Sequence, residues 1–407
     1  MNVEKFLFNI PSQKIKFGLS RTESLLKACN NPEKKVLSIQ IVGTNGKGSV
    51  STLLAKALVD KGYKVGLYTS PHLVHFTERI RINFNKIKQN EIEKFINIFK
   101  QDIERIKPSF FEVMTVLALW HFKQEGVDIA ILETGLGGRL DSVTACDNKY
   151  VLFTSISLDH TDILGDTIEE IAREKAGAII NNQQICIGVN QSKIVNTILE
   201  EEAKKTNNKI KFITAPPAAI KKISFKYLEG AHQKTNAFLA YQTIKELEEK
   251  LKMQIDSSQI IDSFKKTVWP GRFQTICNKP KIIYDVAHNK EGLEAFINTF
   301  VGFKFKKRKV LILGFEQNKQ IKVQIKKFNL IFDFIICTET NIRKSMPASE
   351  IFQTLNSKKA LIIKDANKAL EYAFHKFSNE TIISIVGSHF FAPYINNYYQ
   401  NCFAIDK

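Results

Sequence analysis

Phosphate chemistry is written into Gly43-Thr-Asn-Gly-Lys-Gly-Ser49. Glycines let backbone N–H groups converge on phosphate oxygens, and a lysine among them neutralises the charge those oxygens carry. The stretch follows the apolar run Val36–Val42. It precedes Val50, Leu53, Leu54, Ala57 and Leu58, spaced as one face of a helix. A strand that turns through glycines into a helix N-terminus predicts phosphate binding. The stretch departs from the strict G-x-x-x-x-G-K-[ST] form: position 41 is Ile, and Gly48 separates Lys47 from the Ser49 hydroxyl.

Three further clusters carry ionisable groups. Asp128-Ile-Ala-Ile-Leu-Glu133 reads as a strand ending in a carboxylate, followed by the Gly-rich Thr134-Gly-Leu-Gly-Gly-Arg-Leu-Asp141. An acid at the C-terminal end of a strand beside the phosphate-loop strand is placed to hold Mg²⁺, so Glu133 is a metal candidate. Ser155-Ile-Ser-Leu-Asp-His160 follows another strand and offers His160 and Asp159 as ligands. Lys175, within Ile171–Gly177, reads by itself as a surface lysine on a helix. Asn236, Arg272, Asp285 and His288 are candidates too. Taken singly they read equally well as a helix cap, a surface ion pair and ordinary polar residues.

These residues need elements to position them. Strands are predicted at Val36–Val42, Lys64–Tyr68, Val127–Leu132, Tyr150–Ile156 and Gln184–Ile187, and helices near Glu91–Ile106, Phe111–Gln124 and Thr167–Ile180. A second series begins with Lys281–Tyr284 and continues with Val310–Leu313 and Phe334–Ile336. Such alternation predicts an α/β fold with mostly parallel strands. Pro270-Gly271 marks a turn between the two series, so the expected domains are 1–270 and 271–407.

Composition narrows the classes. No run of about 18 apolar residues is present, so no membrane span is expected, and Met1–Phe17 lacks the apolar core of a secretory signal. Six scattered cysteines without a C-x-x-C pair argue against a disulfide framework or zinc site and for a cytoplasmic protein. A net charge of +18 attracts anions, but the lysines are dispersed and no aromatic-interleaved basic stripe predicts nucleic-acid binding.

In this order the motifs resemble the folylpolyglutamate synthase/dihydrofolate synthase family, a branch of the Mur ligase superfamily. The matching stretches are Gly18–Arg21, GTNGKGS at 43–49, Tyr68–Leu73, Glu78–Asn83, Ser109–Glu112, LETGLGGRLD at 132–141 and Ser155–Asp162. Glu174–Gly177, Asn236-Ala, PGRF at 270–273 and DVAHN at 285–289 complete the set. The resemblance implies a P-loop-containing Mur-ligase-type domain followed by a smaller Rossmann-like α/β domain. It implies ATP contacts from Thr44, Asn45, Gly46, Lys47, Gly48, Ser49, Asn236, Arg272 and Asp285. Ser70 and Glu133 would hold one Mg²⁺ and His160 a second; Lys175 would be carbamylated. Pteroate or folate would lie against Phe17, Gly18, Ser109, Phe110, Phe111, Glu112, Leu140, Asp141 and Ser142. The chain departs from the family pattern at Ser142-Val-Thr144, Lys290 and Asn318-Lys-Gln320.

The activity implied is ATP-dependent addition of L-glutamate to dihydropteroate or reduced folates through an acyl phosphate. Lys47, Lys175 and His288 would carry the catalysis, in a protein expected to be a monomer with small-molecule partners only. Another Mur-type amide ligase is the near alternative, and a P-loop small-molecule kinase the more distant one.

Overall fold

The computed structural model describes residues 3–8, 10, 18–180, 183–342 and 344–405. The chain divides into two compact units, one of Met1–Ser224 with Lys234–Thr267, the other of Phe225–Gln233 with Val268–Lys407. The division therefore falls at Thr267/Val268 rather than after residue 270. The short segment Phe225–Gln233, which the sequence alone leaves in the first domain, packs with the second.

The first unit is built on eight strands: β1 (Leu37–Val42), β2 (Val65–Tyr68), β3 (Ile80–Ile82), β4 (Asn85–Lys86), β5 (Ile129–Glu133), β6 (Tyr150–Phe153), β7 (Ile185–Val189) and β8 (Ile210–Ile213). Their order is β4-β3-β2-β5-β1-β6-β7-β8. β3 pairs antiparallel with β2 and β4, and the other pairs are parallel. Strands buried on both faces read as apolar runs, as β5 and β6 do, while the equally buried β1 carries Ser38 and Gln40 among its apolar residues. β1 leads to β2 on one side while β5 leads to β6 on the other, so the chain reverses direction between β1 and β5. Ligands of open α/β sheets bind at such a crevice, beyond the carboxyl ends of the strands.

Three helices of this unit bear on the crevice: α1 (Lys47–Asp60), α2 (Phe110–Gln124) and α3 (Ile168–Ala176). A fourth, α4 (His232–Leu251), carries Asn236. In α2 every residue from Val113 to Phe122 is buried. It packs in a core with Phe95, Ile96, Tyr68 and Leu132, while α3 packs with Val151, Phe153 and Leu199 in another. Strand β6 is shorter than its pattern suggests. After Phe153 the chain bends so that Ser155 bridges Asn45 beside the Gly-rich turn. Helix α3 ends at Ala176 rather than Ile180, and a Cβ on the following Gly177 would stand 2.6 Å from the Arg139 side chain.

The second unit is a six-stranded sheet of β9 (Gln274–Asn278), β10 (Lys281–Asp285), β11 (Arg308–Leu313), β12 (Phe334–Glu339), β13 (Ala360–Asp365) and β14 (Thr381–Val386). The order is β13-β12-β11-β14-β10-β9, all parallel except β9. The wholly buried β14 lies between β10 and β11, last in sequence yet central in space. Helix α5 (Lys290–Gly302) follows β10, and its Phe296 and Phe300 pack with Phe328 and Phe332. Among the described residues no helix is long and apolar enough to cross a membrane, and none of the six cysteines is in a disulfide.

Gly66 in β2 tests how tightly the first sheet is covered. A Cβ there would sit 2.7 Å from the Phe122 ring. Gly66→Ala is expected to destabilise the protein by about 1–3 kcal/mol through overpacking, seen as a lower urea midpoint with an unchanged slope.

Candidate active site

The Gly-rich turn closes as its composition requires. Gly43 has φ +150° and Gly46 φ +88°, where L side chains are strained. Space is also lacking: a Cβ on Gly43 would meet Thr154 Oγ1 at 1.9 Å, and one on Gly46 would meet Asn236 Oδ1 at 2.5 Å. The turn is pinned to the loop after β6. Thr44 N–H donates to Ser155 O at 2.7 Å, and Thr44 Oγ1 both donates to Ser157 O and accepts from Ser157 N–H, each at 3.0 Å. Lys47 opens α1 and folds back so that Nζ donates to the carbonyls of Gly43 and Thr44, each at 3.1 Å. Gly48 and Ser49 are buried in the first turn of α1. A helix N-terminus, a lysine and open backbone N–H groups thus meet at one point, the requirement for holding a polyphosphate.

Glu133 ends β5 directly beside Ile41 of β1 and is buried, accepting from the Ser70 N–H at 3.1 Å. The Ser70 segment is held in turn by Glu78, whose carboxylate accepts from the N–H groups of Leu73, Val74 and His75 at 2.9, 3.1 and 2.9 Å. Glu78 is a positioning residue that its place in the Glu78–Asn83 motif did not reveal. Past Glu133 the chain loops around Asp141, whose carboxylate accepts from Gly135, Leu136 and Val143, each at 3.0 Å. Burial raises the Asp141 pKa, and those three N–H donors pull it back.

Lys175 is the largest departure from the sequence reading. It is buried, not a surface lysine, and its Nζ donates to Gly43 O at 2.9 Å. Burial, with the Lys47 charge adding to it, lowers its pKa to about 7. The loop after β5 docks on this helix: a Cβ on Gly138 would lie 2.4 Å from Lys175 O, and Arg139 N–H donates to Glu174 O at 2.9 Å. His160 stands exposed at φ +50° at the start of a short helix, beside a buried Asp159 that accepts from its N–H at 2.9 Å.

Around α2 lie most residues expected to meet an aromatic substrate; Phe17 lies outside the described residues. Half-buried Gly18, at φ +122°, precedes the helix that carries Arg21. Ser109 caps α2, accepting from Glu112 N–H at 3.2 Å, and Glu112 pairs with Arg21 at 3.1 Å. The Phe110 and Phe111 rings each lie 5.5 Å from the Arg79 guanidinium carbon, and Arg79 donates to His72 Nδ1 at 3.0 Å. Phe111 and Leu140 are exposed, an apolar surface of the kind that ring systems cover. Ser142 is bonded to Thr115 at 2.6 Å, and Thr115 reaches the buried Tyr68 hydroxyl at 3.2 Å. Arg79 and Thr115 were missed in the sequence; only the basic, alternating Glu78–Asn83 run hinted at the first.

In the second unit Asp285 ends β10 and accepts from Phe273 N–H and Ala287 N–H, each at 2.8 Å. Its pKa is raised by burial and restrained by Arg272. His288 shares Nδ1 with Val286 O at 2.9 Å. The structure therefore gathers Thr44–Lys47, Ser70, Glu133, Asp141, Lys175 and Asn236 at the crevice of the first unit. Arg272, Asp285 and His288 cluster at a strand end of the second.

Among the described residues no three His, Cys, Asp or Glu side chains form a ready-made metal cage. Mg²⁺ needs only one or two protein carboxylates, with phosphate oxygens and water completing its shell. The buried Glu133 carboxylate beside Ser70 is such a partial oxygen set.

The middle-domain model of the Mur ligases matches residues 41–256, and their glutamate ligase domain model matches residues 271–389. The fold and site thus define a Mur-type ATP-dependent ligase. The dihydrofolate synthase/folylpolyglutamate synthase of Bacillus subtilis is 30% identical, over 93% of this chain and 94% of its own length. That of Buchnera aphidicola subsp. Baizongia pistaciae is 31% identical over 94% and 91%. Escherichia coli FolC in complex with DHPP and ADP is similar at a TM-score of 0.83 and 26% identity, over 97% of this chain and 96% of that one. The bifunctional Yersinia pestis enzyme complexed with AMPPNP and Mn ion is similar at 0.83 and 25%, over 97% and 96%. The chain belongs to the dihydrofolate synthase/folylpolyglutamate synthase family.

Gly46→Ala is expected to weaken ADP binding at least about tenfold, since the left-handed backbone costs about 1–2 kcal/mol and the methyl displaces Asn236. Gly62→Ala is the control. Gly62 has φ +97° but open space and no part in the crevice, so calorimetry on this variant should return the wild-type ADP affinity.

Proposed function

We propose that the protein joins the amine of L-glutamate to the carboxylate of dihydropteroate and of reduced folates, acting as a bifunctional synthase with Mg²⁺ and ATP. The reading is carried by one observation: Lys47 and the buried Lys175 both donate to the Gly43 carbonyl of the Gly-rich turn, and the Glu133–Ser142 loop rests through Gly138 on the Lys175 backbone. Thr44, Asn45, Gly46, Lys47, Gly48 and Ser49 hold the ATP phosphates with Asn236. Arg272 and Asp285 supply nucleotide contacts from the second unit, and His288 orients phosphate or the amino acid. The acceptor lies along Gly18, Ser109–Glu112 and Leu140–Ser142.

A carboxylate is a poor acyl donor. One acceptor oxygen attacks the γ-phosphorus, the bond to the β–γ bridging oxygen breaks, and ADP leaves with that electron pair. Lys47 and the α1 N-terminus stabilise charge on the transferring group. Ser70 and Glu133 would hold one Mg²⁺ and His160 a second, and the bound ions would neutralise phosphate charge. The glutamate amine then adds to the acyl carbon, phosphate departs and the nitrogen loses its proton. Lys175 is read as a carbamate, formed when its neutral amine adds to CO₂ and loses a proton, which converts a cation into an anionic ligand. Its lowered pKa supports that reading: the ammonium form is disfavoured, and the reactive amine predominates above about pH 7. We place the protein in the cytoplasm as a monomer.

The primary test is ADP release by the purified protein with Mg²⁺, ATP and 7,8-dihydropteroate or tetrahydrofolate. Release that requires glutamate with both acceptors is expected. Release without glutamate identifies a kinase instead, and release with one acceptor only narrows the enzyme to that substrate. For the carbamate, Lys175→Ala is expected to lose at least about a hundredfold in kcat and to regain activity with added acetate. Rescue by ethylamine in place of acetate would show that an ammonium group is what the site needs.

A further inference from the structure

Gln40 lies in the middle of β1, fully buried between Leu132 of β5 and Val151 of β6, where an apolar side chain is the ordinary occupant. Its amide is completely employed. Nε2 donates to Thr134 Oγ1 at 3.1 Å and to Thr144 Oγ1 at 2.8 Å, while Oε1 accepts from Asn148 Nδ2 at 3.1 Å. Asn148 Nδ2 also donates to Val143 O at 2.7 Å. The single hydroxyl proton of Thr144 goes to Gly138 O at 2.6 Å, so Thr144 can only accept from Gln40. The direction of every bond in the network is therefore set.

These bonds clamp one loop at three places. Thr134 follows Glu133, Thr144 closes the far end two residues past Ser142, and Gly138 is the point that rests on Lys175 O. Asp141 gathers the same loop from within, through Gly135, Leu136 and Val143. The phosphate turn is fastened separately, through Thr44 to Ser155 and Ser157. Every hydrogen of the two amides that these bonds use is donated to an acceptor, while Asn148 Oδ1 is buried without a partner among the described residues; buried amide networks rigidify what they join.

We propose that Gln40, acting through Thr144, is a positioning residue for the acceptor side of the reaction: it holds the Thr134–Thr144 loop in register without touching substrate. The proposal rests on the ligase reading above. Gln40→Met keeps the side-chain length and removes both functions of the amide. Thr144→Val keeps the shape and removes the hydroxyl, whereas Thr144→Ser retains it.

The experiment is steady-state kinetics of these variants with each substrate varied, alongside calorimetry of metal-free ADP. Gln40→Met and Thr144→Val are each expected to lower kcat/KM for dihydropteroate by about ten- to a hundredfold, the cost typical of a lost supporting hydrogen bond at a site. KM for ATP and the metal-free ADP affinity stay within about twofold. The double variant falls no more than about threefold below the worse single one, because both changes break one network. Thr144→Ser stays within about threefold of wild type. Losses that multiply, losses shared equally by ATP, or a lower melting temperature with unchanged kinetics would each overturn the proposal. If Gln40→Met does not fold, the Thr144→Val and Thr144→Ser pair decides alone. A wild-type protein that binds ADP but makes no glutamate adduct refutes the ligase reading. In that case dihydropteroate affinity, weakened in Thr144→Val and kept in Thr144→Ser, still decides for positioning, and equal affinity in both decides against it.

Discussion

A single backbone oxygen holds the site together. The carbonyl of Gly43 accepts from Lys47 Nζ at 3.1 Å and from Lys175 Nζ at 2.9 Å, so two lysines from separate helices converge on the first residue of the phosphate turn. Burial is the main reason the Lys175 pKa is lowered, and repulsion between the two like charges adds to it. Polyphosphate relieves that repulsion from the Lys47 side, and conversion of Lys175 to an anion relieves it from the other.

Close backbone approach is the second constraint. The Gly43 position excludes a methyl because Thr154 stands against it, and Gly138 excludes one because the Lys175 backbone does. Gly43 lets the phosphate turn touch the loop after β6, and Gly138 lets the loop after β5 rest on helix α3. Carboxylates complete the arrangement. Glu78, Asp141 and Asp285 each spend their oxygens on backbone N–H groups, organising loops that have no regular hydrogen bonding of their own.

Much of this was legible in the chain. The strand, glycine turn and helix around residues 36–60 have only one sensible local structure, and the buried run ending in Glu133 declared its strand just as clearly. The strands of the second unit from Lys281, Val310 and Phe334 were equally plain. Strand β14 was not, because an apolar hexamer near the end of a sequence carries no sign of lying between β10 and β11. Gln40 was hidden for the opposite reason: a polar residue in an apolar strand gives no hint of the partners waiting at Thr134, Thr144 and Asn148, about a hundred residues away.

Local chemistry is thus a property of the sequence. Residue type and spacing determined that a Gly-rich turn joins a strand to a helix, that a carboxylate ends a neighbouring strand, and that two α/β series follow one another. The state of each ionisable group was decided by the fold alone. Lys175 on an amphipathic helix reads as solvated, and only its burial in the fold, with the Lys47 charge adding to it, turns an ordinary cation into a group with a pKa of about 7. Desolvation depends on every neighbour in space, and neighbours in space are what a linear order of residues does not contain.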